Sequence, residues 1–189
     1  MDGFRLGSFG AAGVDGFVAD IGAHARLLAS QHPDVPLFAF AHSLGSMGMQ
    51  IALLAEPVPY GGVVLSGSTT LDGLGGVLAG LPADQPGLAA FNAGFEPRTG
   101  FEWLSRDPAE VDAYVADPLC GFPTEDAIIG GVLGQAERTA EPSQIRPDLP
   151  LLLISGDRDP VGGPGGSNVT ALADRYRSAG LTDVTATLY

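Results

Sequence analysis

The sequence predicts an α/β protein built on a parallel sheet flanked by helices. Three observations carry this. Short apolar runs rich in Val, Leu and Ile recur along the chain, stretches of helical periodicity separate them, and 189 residues suit one domain with an inserted subdomain. Strands that alternate with helices assemble into a parallel sheet.

The elements follow in order. Val14, Phe17, Val18, Ile21 and Leu28 recur at helical spacing, which predicts an amphipathic helix from Gly16 to about Ser30. His32-Pro33 and Val35-Pro36 break it, because a residue before proline is pushed out of the helical region. Leu37-Phe38-Ala39-Phe40-Ala41 is a short apolar run, expected as a buried strand. Met47 to Ala55 is helical again and stops before Pro57. Gly62 to Ser66 and Leu149 to Ser155 are the second and third strands. Ser167 is expected to cap a helix running to Ala179, with Gly180 as its C-terminal stop. Val184, Ala186 and Leu188 then alternate as a fourth strand.

Residues 73–146 break this rhythm. They are rich in glycine, proline and aromatic residues and hold only short helical pieces. One piece is well signed, with Asp107 as cap, Pro108 at the first position and Glu110 three residues after the cap. The expected organisation is a core in two parts, 1–72 and 147–189, with 73–146 inserted between them.

Charge and composition exclude several functions. A net charge of −13 would repel a phosphate backbone or an anionic membrane surface, and no basic stripe offsets it. All nine basic residues are arginine, which removes a P-loop lysine and a Schiff-base lysine. Cys120 is the sole cysteine, so no internal disulfide forms and a reducing compartment is expected. No apolar run reaches the roughly 20 residues needed to span a bilayer, and no basic, apolar leader opens the chain. A cytoplasmic protein without stable membrane insertion is the expectation. Three scattered histidines and one cysteine offer no metal-ligand cluster, and neither metal nor organic cofactor is expected.

The chemistry begins at Ala39-Phe40-Ala41-His42-Ser43-Leu44-Gly45-Ser46. A serine on a sharp strand-to-helix turn has its Oγ lifted clear of the sheet. The first N–H of the following helix, that of Leu44, then points where an oxyanion would form. Small residues are needed two before and two after the serine, where strand and helix pass closely. Gly45 meets that need, and Ala41 departs from glycine by one methyl group. His42 is not expected to be the base, since neighbours on this turn point apart. The second element, Ser155-Gly156-Asp157-Arg158-Asp159-Pro160-Val161, follows the third strand. In the chain order serine, acid, histidine, an acid belongs at this strand end. Asp159 is the first choice and Asp157 the fallback; taken alone, the segment also reads as a turn whose aspartate caps its own backbone.

The order of AHSLGS, VVLSGS, FEWLSRDPAEVDAYVADPLCGF and LLLISGDRDPVGG resembles the α/β-hydrolase superfamily, and within it the lysophospholipase and monoacylglycerol-lipase-like, serine aminopeptidase-like branch. The resemblance implies Ser43 as nucleophile, Asp159 as triad acid, the Leu44 N–H as one oxyanion donor, and 73–146 as a cap that forms the acyl pocket. It implies no cofactor and a small-molecule acyl ester as partner. Phe91, Phe95, Phe101, Trp103, Tyr114 and Phe122 would line an apolar channel or form the cap's own core.

Two parts of the family pattern are absent from the 189 residues: a base histidine after the last strand, and a second oxyanion donor after an early strand. Both fall at the ends. The expectation is therefore the C-terminal part of an α/β-hydrolase sheet with an inserted helical cap, truncated at both ends and inactive in isolation. The Leu37–Ala41 strand would then show an unpaired apolar edge. A lysophospholipid or monoacylglycerol hydrolase is the leading reading; a short-chain esterase, an aminopeptidase, an acyltransferase or a non-catalytic binder of apolar ligands are the alternatives. Epoxide hydrolases and haloalkane dehalogenases place aspartate where Ser43 stands.

Overall fold

A computed structural model describes residues 6–55, 59–82 and 87–189. Pro57, expected to end the second helix, lies outside them. The core elements are α1 (Gly13–Gln31), β1 (Leu37–His42), α2 (Leu44–Ala55), β2 (Tyr60–Ser66), β3 (Leu151–Ser155), α7 (Ser167–Ser178) and β4 (Val184–Leu188). Between β2 and β3 run α3 (Leu71–Ala79), α4 (Pro108–Ala116), α5 (Asp126–Leu133) and α6 (Ala136–Ala140), joined by short 3-10 turns. The four strands pair in parallel in the order β1-β2-β3-β4.

Register decides which face is covered. Ala39, Val63, Leu151 and Val184 lie in one row, and Ala41, Leu65, Leu153 and Ala186 in the next. Ala25 of α1, Leu53 of α2 and Leu172 of α7 all pack on this face, so the three helices share one core with the sheet. The alternate row, Phe40-Val64-Leu152-Thr185, faces the other way. There Phe38 and Phe40 are 66% and 68% exposed. This corrects the reading of β1 as a buried strand: it is an edge strand, open on one face, and the expected apolar edge is present.

A second core joins α1 and α2 to the inserted elements through Val18, Ile51, Leu71, Phe91 and Val132. Gly48 makes the α1–α2 crossing close, for a Cβ there would lie 2.3 Å from the Phe17 ring. Asp107 caps α4 as expected, its side chain accepting from the Ala109 N–H. Ser167 does not cap α7. Gly166, in the left-handed region, takes the cap position and makes Ser167 the first helical residue.

Candidate active site

One residue, Ser43, separates β1 from α2. Its φ is 51°, and no other non-glycine residue among those described has a positive φ. For an L-residue that conformation costs about 1–2 kcal/mol, so the surroundings must hold it. They do so through the backbone: the Ser43 N–H donates to the Ser66 carbonyl at 2.9 Å, and the Ser43 carbonyl accepts from the Ser46 N–H at 2.8 Å. Leu44 opens α2, so its N–H has no helical carbonyl to bond and sits at the positive end of the helix.

Beneath this turn lies a buried polar chain absent from the sequence-based site. Gln50 (2% exposed) donates through Nε2 to Ser68 Oγ at 3.1 Å and to the Thr69 carbonyl at 2.9 Å. Ser68 and Ser46 share a hydroxyl hydrogen bond of 2.8 Å, and the Ser46 hydroxyl reaches the Ser43 carbonyl at 2.6 Å. Among the described residues the Gln50 Oε1 has no partner. Sequence carried a signal for this chain: Gln50 is the one amide in the otherwise apolar run Met47-Gly48-Met49-Gln50-Ile51-Ala52-Leu53-Leu54.

The acid turn lies at the end of β3. Asp159 accepts from the Val161 N–H at 2.9 Å through one oxygen and from the Ser155 hydroxyl at 3.2 Å through the other. Asp157 instead pairs with Arg106 at 2.7 Å. Ser43 and Asp159 line the same cavity of about 360 Å³. Gly67 keeps that cavity open between them: a Cβ there would lie 3.1 Å from His42 Cε1 and 3.4 Å from Asp159 Oδ2. The His42 Nδ1 is engaged with Ser66 Oγ at 3.1 Å.

Residues between β2 and β3 supply a further wall through Phe95, Glu102, Trp103 and Arg106. Glu102 accepts from the Thr99 N–H and hydroxyl, both at 2.6 Å, from the Asn92 amide at 2.8 Å and from the Gly100 N–H at 3.1 Å. These bonds, the Thr99 hydroxyl first, hold its carboxyl well below the usual carboxylate range against an opposing contribution from burial. Two arginines tie the wall to the acid turn in opposite directions. Arg106 of the insertion donates to Asp157 and to the Tyr189 carbonyl at 2.8 Å. Arg158 of the acid turn lies over the Phe95 ring, 4.8 Å from its centroid. Neither arginine was singled out in the sequence. Phe91 and Trp103 contact each other at 5.1 Å, and Phe101 and Tyr114 at 5.2 Å, so part of the aromatic set forms internal packing.

A family model described as serine aminopeptidase, S33, matches residues 7–189. The chain belongs to that family. Its monoacylglycerol-lipase-like branch is indicated by two curated relatives. A monoacylglycerol lipase of Mycolicibacterium smegmatis is 31% identical over 169 residues, covering 86% of this chain and 57% of the relative. A monoglyceride lipase of Rattus norvegicus is 27% identical over 152 residues, covering 76% of this chain and 48% of the relative. The family member described here thus spans about half the length of the curated relatives it matches. Among solved structures, a thermostable carboxyl esterase from Bacillus coagulans superposes with a TM-score of 0.73 at 24% identity, covering 97% of this chain and 65% of the esterase. That likeness makes the sheet part of an α/β-hydrolase fold. Among the described residues no group of three metal-ligating side chains occurs, and no helix is long and apolar enough to cross a membrane.

Proposed function

We propose that this chain carries the nucleophile and the acid of a serine hydrolase of carboxylic esters, acting on monoacylglycerol-type or lysophospholipid substrates. One observation carries the reading: Ser43, held at a φ of 51° on a strand–helix turn, shares a cavity with Asp159. The S33 family match and the lipase names of the curated relatives support the same chemistry. Ser43 Oγ attacks the ester carbonyl, and the Leu44 N–H donates one hydrogen bond to the oxyanion that forms. An acyl–Ser43 ester results with loss of the alcohol, and water then cleaves it. Asp159 orients the imidazole that accepts the Ser43 proton. Residues 73–146 act as the cap over the cavity.

The three histidines of the chain are His24, His32 and His42. His42 is occupied by Ser66, so the base is placed outside residues 1–189 in this reading. Removing such a base costs about 10⁶-fold in turnover. The 189-residue chain is therefore expected to hydrolyse a fluorogenic acyl ester no faster than its Ser43→Ala variant. Added imidazole, entering the cavity between Ser43 and Asp159, should raise the rate of the unchanged chain above that of Ser43→Ala. Enzyme-like turnover without imidazole, or an imidazole-stimulated rate that Ser43→Ala leaves intact, would sink the proposal.

A further inference from the structure

A second cavity of about 760 Å³ borders the acid turn, and Ser43 is not among its lining residues. It runs between α3 and the loop after Asp159, with Val77, Leu81 and Phe91 in its walls. The two cavities share Phe95, Asp157, Arg158 and Asp159. Of these, Arg158 and Phe95 form the movable part. The guanidinium rests on the ring at 4.8 Å and reaches the Gly94 carbonyl at only 3.5 Å, the limit of a hydrogen bond. The Arg158 side chain is exposed and, among the described residues, no carboxylate is paired with it, so little holds it in place.

Gly76 on α3 adds an independent observation. At Gly73 a Cβ would collide with Asn168 at 2.7 Å, so packing accounts for that glycine. A Cβ at Gly76 meets nothing within 4 Å, and the position opens into the second cavity. A glycine in a helix interior weakens the helix, and no close contact in the structure requires this one.

We propose that Arg158, lying on Phe95, is a specificity-determining partition that sets acyl-chain length. A short chain with its carbonyl at Ser43 is held in the first cavity. A long chain displaces the guanidinium and runs on into the second, burying its distal methylenes against Val77, Leu81 and Phe91. The inference rests on the acyl-ester reading above and deepens it.

The test needs no turnover. Trp103 is the single tryptophan and lines the first cavity but not the second, so its fluorescence reports ligands beside Ser43. The probes are octyl and hexadecyl glyceryl ethers, neutral and resistant to hydrolysis, titrated below their micellar range. Arg158→Ala should raise the hexadecyl-to-octyl affinity ratio by about fivefold or more, because the chain no longer has to displace the side chain. Gly76→Leu, which fills the second cavity without a backbone clash, should lower that ratio by about tenfold or more. A ratio unmoved by both variants overturns the partition while the octyl ether's binding leaves the ester reading standing. Failure of every ether to perturb Trp103 overturns the ester reading and the partition with it.

Discussion

Gln50 offers a sharp test of the packing behind Ser43. Truncation to alanine removes two hydrogen bonds, to Ser68 and the Thr69 carbonyl, and opens a cavity at a site 2% exposed. Two bonds are worth about 0.5–1.5 kcal/mol each, and cavity formation by a large-to-alanine change costs about 2–5 kcal/mol, about 3–8 kcal/mol together. Removing the unpartnered Oε1 returns about 1–3 kcal/mol, so a loss of about 2–5 kcal/mol is expected for Gln50→Ala. Leucine at the same position also forfeits both bonds, but it keeps the volume and removes the unpartnered Oε1. An unsatisfied buried acceptor costs about 1–3 kcal/mol, which offsets the lost bonds, so Gln50→Leu should lie within about 1 kcal/mol of the unchanged chain. Urea unfolding measures both. Far-ultraviolet dichroism follows the whole chain and Trp103 fluorescence follows the insertion, and coincident transitions confirm that one free energy describes each variant. If leucine proves as costly as alanine, Oε1 has a donor after all and the reasoning fails.

Two further perturbations address the wall and the edge. Glu102 has its folded pKa depressed, so the stability it contributes is present above the usual glutamate value of 4.5 and is lost as pH falls below it. Glu102→Gln should flatten the fall of the urea midpoint between about pH 6 and pH 3, and an unchanged slope would remove Glu102 from the account. At the sheet edge, Phe38 and Phe40 form an exposed apolar surface beside unpaired β1 backbone. Phe40→Glu should cut light scattering at fixed protein concentration while shifting stability by no more than about 0.5 kcal/mol. A monodisperse, monomeric unchanged chain would refute that.

Much of the sheet was legible because each strand is a short apolar or alternating run bounded by proline, glycine or a helix, and parallel strands are normally covered on both faces. That same rule misread β1. Phe38 and Phe40 look like core in sequence, and only the register shows them on the face away from α1, α2 and α7. The α7 cap went to Gly166 rather than Ser167 because a left-handed backbone there starts the helix one residue earlier than a serine cap would. At the site, Ser43 and the acid turn were readable because strand-to-helix and strand-to-loop junctions carry local signals. Arg106 and Arg158 were not readable. Their partners, Tyr189 and Phe95, lie far away in the chain, and nothing in local spacing brings them together.

The crossed arginines give the acid turn an unusual mechanical position. Arg106 reaches from the insertion to Asp157 and Tyr189, while Arg158 reaches from the turn to Gly94 and Phe95. Each contact alone is weak at an exposed site, but either one holds the other's partners within reach, so the second re-forms far faster than it could between free segments. The pair behaves as a two-point fastening. Salt weakens the ionic point in preference to the ring contact, so raised ionic strength leaves the acid turn tied to residues 94–106 chiefly through Phe95.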